Sequence, residues 1–327
     1  MKILIYNSGG GLGDSIQLFD TITSLKKKFG EKNIYYLSSH ENHYDKALKD
    51  YNVKIENFDT DIEYFGFRIK HFFYSEKILK SKFIKKFDLI IDLQSKLRNT
   101  LILKRIPHNN FYSSTFNFKL CSIKKNYASS KNNLKNIILN LEKLLEDRIP
   151  LVKYDINSID QLYFDEAKKL LPKKDYIGFS ITQGNLYRKK SWSLNRFINI
   201  AKIISRNGKH PVFFIEKINT KLIDYIKKEI DNAIFPEQET SFSGPPLITA
   251  LATRLDKAIS IDNGVMHMIG LANIPMIVLF GPTDSKKFAP IYKNSIILDS
   301  KKIYNSKNID DITVEDVLKA ATQLSNF

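Results

Sequence analysis

Short runs of β-branched and aromatic residues alternate along the chain with amphipathic stretches. Residues 2–7 form a strand-length apolar run, and 15–28 carries apolar residues at helical spacing, with Phe19, Ile22, Leu25 and Phe29 on one face. Residues 33–38 and 54–58 read as further strands. Residues 88–93 are a near-continuous apolar run, as expected of a strand covered on both faces, and a helix is predicted over 95–105. The alternation restarts with a strand at 176–181 and a helix over 194–206, whose core stripe is Leu194, Phe197, Ile198, Ala201 and Ile204. Gly208 is placed to cap that helix. Residues 211–215, 257–261 and 275–280 read as strands, with a short helix over 264–273 between the last two. A final helix covers 313–324, with Thr313 at its N-cap.

Two β/α series in succession imply an α/β protein of two doubly wound lobes. The least regular stretch between them is 148–160, which contains Pro150 and reads as the linker. The expected divisions are an N-terminal lobe over 1–158, a C-terminal lobe over 159–312 and a C-terminal helix over 313–327. Ligands of such sheets sit at the carboxyl ends of the strands, so the cleft between the lobes is the expected site.

Composition narrows the partners. The 327 residues, 43% hydrophobic, suffice for two real cores. A single cysteine, Cys121, excludes a disulfide framework and suits a reduced, cytoplasmic protein. The opening apolar run is strand-sized and ends at glycines, unlike a secretory signal, and no stretch of about 18 apolar residues occurs. The net charge of +16 has two readings: attraction to an anionic partner (nucleic acid, acidic lipid or phosphorylated glycan), or lysines spread over a solvated surface. Only eight of the 51 basic residues are arginine, which argues against sequence-specific nucleic-acid reading.

Five segments carry candidate chemistry. Gly9-Gly10-Gly11-Leu12-Gly13-Asp14 follows the first strand and opens a helix. Gly9 and Gly11 fit the start of the dinucleotide fingerprint G-x-G-x-x-G, but its third position is Asp14, whose carboxylate would repel a pyrophosphate. Asp14 reads equally as a base at the site or as a helix cap. Asp92-Leu93-Gln94-Ser95-Lys96-Leu97-Arg98-Asn99 ends a buried strand, where polar and basic groups point to the ligand edge or simply make a solvated turn. Ser180-Ile181-Thr182-Gln183-Gly184-Asn185, then Arg188-Lys189-Lys190-Ser191-Trp192, offers cations to a leaving diphosphate; its plain alternative is a basic surface loop with a packed tryptophan. Asp262-Asn263-Gly264-Val265-Met266-His267 lies between a strand and a helix. Asp262 is suited to ribose, Gly264 exposes helix-start amides to a phosphate, and His267 falls in the first turn. The alternatives there are an N-cap aspartate and a core histidine. Phe280-Gly281-Pro282-Thr283-Asp284 closes the next strand on the same edge. The six histidines do not cluster at metal-ligand spacing, so no built-in metal site is expected.

Taken in order, Gly13-Asp14, Asp92-Leu93-Gln94, Lys190-Ser191-Trp192, Asp262 to His267 and Phe280 to Thr283 resemble glycosyltransferase family 9, the ADP-heptose:lipopolysaccharide heptosyltransferases. The resemblance implies the GT-B fold, two Rossmann-like lobes facing across a cleft, with the donor on the C-terminal lobe. It implies inverting, metal-independent transfer from an ADP-sugar, with no cofactor, to a lipid-linked phosphorylated glycan at the cytoplasmic face of the membrane. Asp14 matches the family's catalytic carboxylate and Lys190 the lysine that stabilises the donor phosphates. Asp262, Gly264 and His267 match the nucleotide-binding motif, with Asn263 where the family usually has Thr or Ser. Thr182, Gly184 and Asn185 belong to the donor loop. Gly11, Gly13, Gln94, Lys96 and Arg98 fall on the acceptor side. A non-heptose donor sugar, or a silent nucleotide-sugar- or glycan-binding relative, is the alternative. Residues 67–87 place Arg68, Lys70, Lys77, Lys80, Lys82, Lys85 and Lys86 among apolar residues, a pattern read as a basic amphipathic helix for an anionic membrane surface or as a core-packed helix.

Overall fold

The computed structural model describes the chain except for residues 8–10, 39–41, 59, 75–85, 95, 131–133, 185–188, 291–293 and 325–327. It divides into two compact units, Met1–Asp155 and Ile156–Phe327.

The N-terminal unit contains β1 (Ile3–Asn7), α1 (Leu12–Ile16), α2 (Phe19–Phe29), β2 (Ile34–Ser38), β3 (Glu56–Asn57), β4 (Phe87–Asp92), α3 (Leu97–Leu103), β5 (His108–Ser113) and α4 (Ile137–Leu145). Its strands form one parallel sheet in the order β3-β2-β1-β4-β5. Every residue of β1 is buried, which is why its sequence is apolar on both faces. The order reverses between β1 and β4, so the loops after these two strands meet at the carboxyl edge.

The C-terminal unit contains α5 (Gln161–Leu170), β6 (Tyr176–Ser180), α6 (Leu194–Arg206), β7 (His210–Phe213), α7 (Thr220–Glu229), α8 (Pro245–Ala252), β8 (Lys257–Ile261), α9 (Gly264–Leu271), β9 (Met276–Phe280), α10 (Ser285–Phe288), β10 (Ser295–Asp299), α11 (Ser300–Ile303) and α12 (Val314–Gln323). Its parallel sheet runs β7-β6-β8-β9-β10, and the order reverses between β6 and β8. The α6 stripe residues Phe197, Ile198, Ala201 and Ile204 lie in this unit's core, joined by Val317, Ala320 and Ala321 of α12. Thr313 caps α12 in a reciprocal box with Asp316, an arrangement typically contributing about 1 kcal/mol. Gly208 follows α6 at φ +76°, the left-handed position that favours glycine.

Three expectations are corrected. The helix predicted over 15–28 is two helices, broken at Gln17 and Leu18. Ile16 and Leu18 are both buried, and residues two apart lie on opposite sides of one continuous helix. The strand predicted over 54–58 pairs only through Glu56 and Asn57 at the sheet edge. The basic segment 67–87 is not one helix. Ile69–Phe73 is a 3₁₀ turn and Phe87 opens β4, while Lys77, Lys80, Lys82 and Lys85 lie outside the described residues. Among the described residues no helix is long and apolar enough to cross a membrane.

Candidate active site

In the N-terminal unit the reversal point carries Asp14. Gly11 is the N-cap of α1, with open space where a side chain would stand, and Gly13 and Asp14 lie in the first turn of that helix. Gly9 and Gly10 lie outside the described residues. Asp14 is partly buried, close enough to two buried tyrosines for its charge to act on both. The Tyr36 hydroxyl is pushed up to about 12, chiefly by burial, with the Asp14 charge adding to the effect. Both phenols therefore stay protonated beside a partly desolvated carboxylate.

The loop after β4 is organised by Asp92, which is fully buried. Its carboxylate accepts from Thr100 Oγ1 at 2.6 Å, Ser113 Oγ at 2.8 Å and the Gln94 amide at 2.9 Å. Burial nonetheless holds its pKa above the usual carboxylate range. Gln94 Nε2 then donates to Asn7 Oδ1 at 3.1 Å, tying this loop to the end of β1. Lys96 and Arg98 turn away from that junction: both stand over the Phe67 ring, and Arg98 Nε donates to the Gly66 carbonyl at 3.2 Å. Of the residues expected on the acceptor side, Gln94 joins the end of β1, whereas Lys96 and Arg98 join the 64–74 segment.

In the C-terminal unit the reversal point is closed by a circuit of bonds. Lys190 Nζ lies 2.8 Å from Asp262 Oδ2 and donates to the Asp262 carbonyl at 3.4 Å. Gln183 Oε1 accepts from the Lys190 and Ser191 amides at 2.7 and 2.8 Å, which fixes the backbone that carries the lysine. Asn263 caps α9 by accepting from the Met266 amide at 2.9 Å. Its Nδ2 donates to Ser180 Oγ at 2.7 Å and to the Thr182 carbonyl at 2.8 Å. Thr182, Lys190, Asp262 and Asn263 are therefore one assembly. Gly264 opens α9, and Gly184 is exposed, with open space where a Cβ would stand. His267 is buried one turn into α9. Asn185 and Arg188 lie outside the described residues.

The three-cation run does not act as a unit. Lys189 pairs with Asp310 rather than with the Asp262 loop. Trp192 is core, its Nε1 donating to the Ile312 carbonyl at 2.9 Å and its ring set edge-on to Phe197. Gly281 is also structural, since a Cβ there would stand 2.7 Å from Ile309 Cβ. Ser180 and Gln183 fall in the polar string at the end of β6 that the sequence marks, but the sequence assigns neither a role; in the structure they hold the loop together. Among the described residues no group of three or more His, Cys, Asp or Glu side chains gathers as a metal set.

The lysine and the amides at the start of α9 can seat an anionic leaving group, and the Asp262 carboxylate beside them can accept from ligand hydroxyls. The model of glycosyltransferase family 9 (heptosyltransferase) matches residues 77–318. A lipopolysaccharide heptosyltransferase 1 from Campylobacter coli is 24% identical over 99% of both chains. A glycosyl transferase family 9 structure from Veillonella parvula superposes with a TM-score of 0.69 at 20% identity, covering 99% of this chain and 96% of that one. The E. coli heptosyltransferase WaaC with ADP gives 0.66 at 13% identity, covering 99% and 97%. These likenesses carry the GT-B fold.

Proposed function

Because the chain belongs to glycosyltransferase family 9 and is a glycosyltransferase of the GT-B fold, we propose that it moves a sugar, a heptose, from an ADP-sugar to a lipopolysaccharide-core or related lipid-linked glycan. The reaction inverts the anomeric centre and uses neither metal nor cofactor. Asp14 takes the proton from the acceptor hydroxyl as that oxygen attacks the anomeric carbon, and the bond to the ADP oxygen breaks in the same displacement. Lys190 and the amides at the start of α9 stabilise the charge that develops on the departing diphosphate. Asp262 serves the ribose side, and the Lys190–Asp262 pair loosens as the phosphates arrive. The enzyme works at the cytoplasmic face of an anionic membrane.

The observation that carries this reading is the Lys190–Asp262–Asn263 assembly at the β6/β8 reversal point, which places one cation and one helix start on the same loop junction. Two relatives, a lipopolysaccharide heptosyltransferase 1 and a heptosyltransferase solved with ADP, support the donor and the sugar. In the test, Asp14→Asn is assayed for sugar transfer and, in parallel, for ADP binding. Transfer falls by roughly a hundred- to ten-thousandfold with ADP affinity retained. A variant that transfers at the parent rate removes Asp14 as the base.

A further inference from the structure

Two adjoining elements of the N-terminal unit each leave an apolar pair in solvent. In the 3₁₀ turn, Ile69 and Phe73 are 75% and 77% exposed, and on α3 Leu97 and Leu101 are 43% and 44% exposed. The elements are packed together: Arg105 stands 4.6 Å over the Phe72 ring, and Arg98 bonds to Gly66 while covering Phe67. Tyr64 and Tyr74, at the ends of the same turn segment, are also exposed. Of the sixteen large exposed hydrophobics among the described residues, four thus fall on two touching elements and two more flank the turn. Single exposed apolar side chains are ordinary on a protein surface, but such a concentration marks an interaction surface.

The charges around it are one-sided. Arg68, Lys70, Lys96, Arg98, Lys104 and Arg105 are all exposed on these elements or beside their ends, against Asp61 and Glu63 at one end. The turn is also held in shape. His71 is buried and stacked on Phe65, and its Nδ1 accepts from the Gly66 amide at 3.1 Å. That anchors the segment so that its neighbours Ile69 and Phe73 point outward at no cost to the core.

From these observations we infer that this surface docks on an anionic lipid bilayer, Ile69, Phe73, Leu97 and Leu101 entering the headgroup boundary and the six cations meeting its negative charge. Apolar side chains ringed by cations match an interfacial lipid contact, which needs partitioning area and electrostatic attraction together. The surface also lies where α3 leaves the carboxyl end of β4, beside the edge that carries Asp14. Docking there brings that edge to lipid-borne hydroxyls. The inference deepens the lipid-linked acceptor of the proposed function, and lipid binding is measured without turnover.

The experiment is co-sedimentation of the full chain with phosphatidylglycerol/phosphatidylethanolamine vesicles and with phosphatidylcholine vesicles, with ADP binding measured on the same samples. The parent chain binds the anionic vesicles and not the neutral ones. Ile69→Ser/Phe73→Ser lowers that binding roughly a hundredfold, as expected for two lost apolar insertions. Arg68→Glu/Lys70→Glu lowers it at least tenfold, and both variants keep the parent's ADP affinity. No binding to anionic vesicles, equal binding to neutral ones, or unchanged binding by the Ile69/Phe73 variant overturns the inference. Displacement by millimolar inorganic phosphate also overturns it, because a free phosphate site would then be the ligand. Loss of ADP binding in the parent chain would count against the donor assignment and leave the lipid result to stand alone.

Discussion

Asn263 stands where the resemblance leads one to expect Thr or Ser, and its bonds say what the amide adds. A hydroxyl can cap α9, but it cannot also donate to both Ser180 Oγ and the Thr182 carbonyl. The side chain thus ties the loop after β8 to the one after β6 by two donated bonds where a hydroxyl could give one, and in the proposed donor site it positions Thr182 and, through Gln183, Lys190. Asn263→Asp keeps the cap and sets an acceptor against the Thr182 carbonyl. It should lower unfolding stability by about 1–3 kcal/mol and weaken ADP binding, read by denaturant melts and calorimetry. Unchanged values for both would show that the junction does not depend on these bonds. Lys189 and Lys190 make the related point about legibility. They are adjacent in sequence and equally charged, yet one meets Asp310 and the other Asp262. Loop composition marked the cations; their partners lie far along the chain and are chosen by the fold.

The elements divide the same way. Strands covered on both faces, β1, β4, β6, β8 and β9, were legible because burial on two sides demands an uninterrupted apolar run. β5 opens with the polar triplet His108-Asn109-Asn110 and was not legible; it lies at the edge of its sheet, where one side is free of a partner strand. α8 opens with Pro245-Pro246, which reads as a loop, yet prolines at the first helical positions cost nothing because those amides have no intrahelical acceptor. The turn around His71 was hidden for another reason: a buried imidazole, not a periodic stripe, holds it. Burial, with Lys70, Arg68 and Arg98 adding, lowers the His71 pKa below its ordinary value. The unfolded ring takes up a proton near pH 6.5 and the folded ring only at lower pH. The stability of the neutral ring is therefore fully present above about pH 6.5 and is lost as the pH falls below it. Hydrogen exchange should show protection at the Gly66 amide dropping between about pH 7 and pH 5, while β1 amides hold. Equal protection at both would contradict this account of the turn.

For the molecule as a whole, the two sheets use different strand orders to reach the same result. β3-β2-β1-β4-β5 and β7-β6-β8-β9-β10 each reverse once, and each reversal gathers the loops that carry the candidate chemistry. That is why motifs scattered from Gly11 to Thr283 are legible in the sequence as candidate site segments: each follows a strand. The proposed donor site places the nucleotide on the C-terminal unit, held by Lys190. The most direct measurement is titration calorimetry of the full chain with ADP, UDP, GDP and CDP, repeated on Lys190→Ala. Selective binding of ADP is expected, weakened roughly ten- to hundredfold in the variant by loss of one charge-assisted contact. ADP binding that is absent in the parent chain, or unchanged in Lys190→Ala, would contradict it.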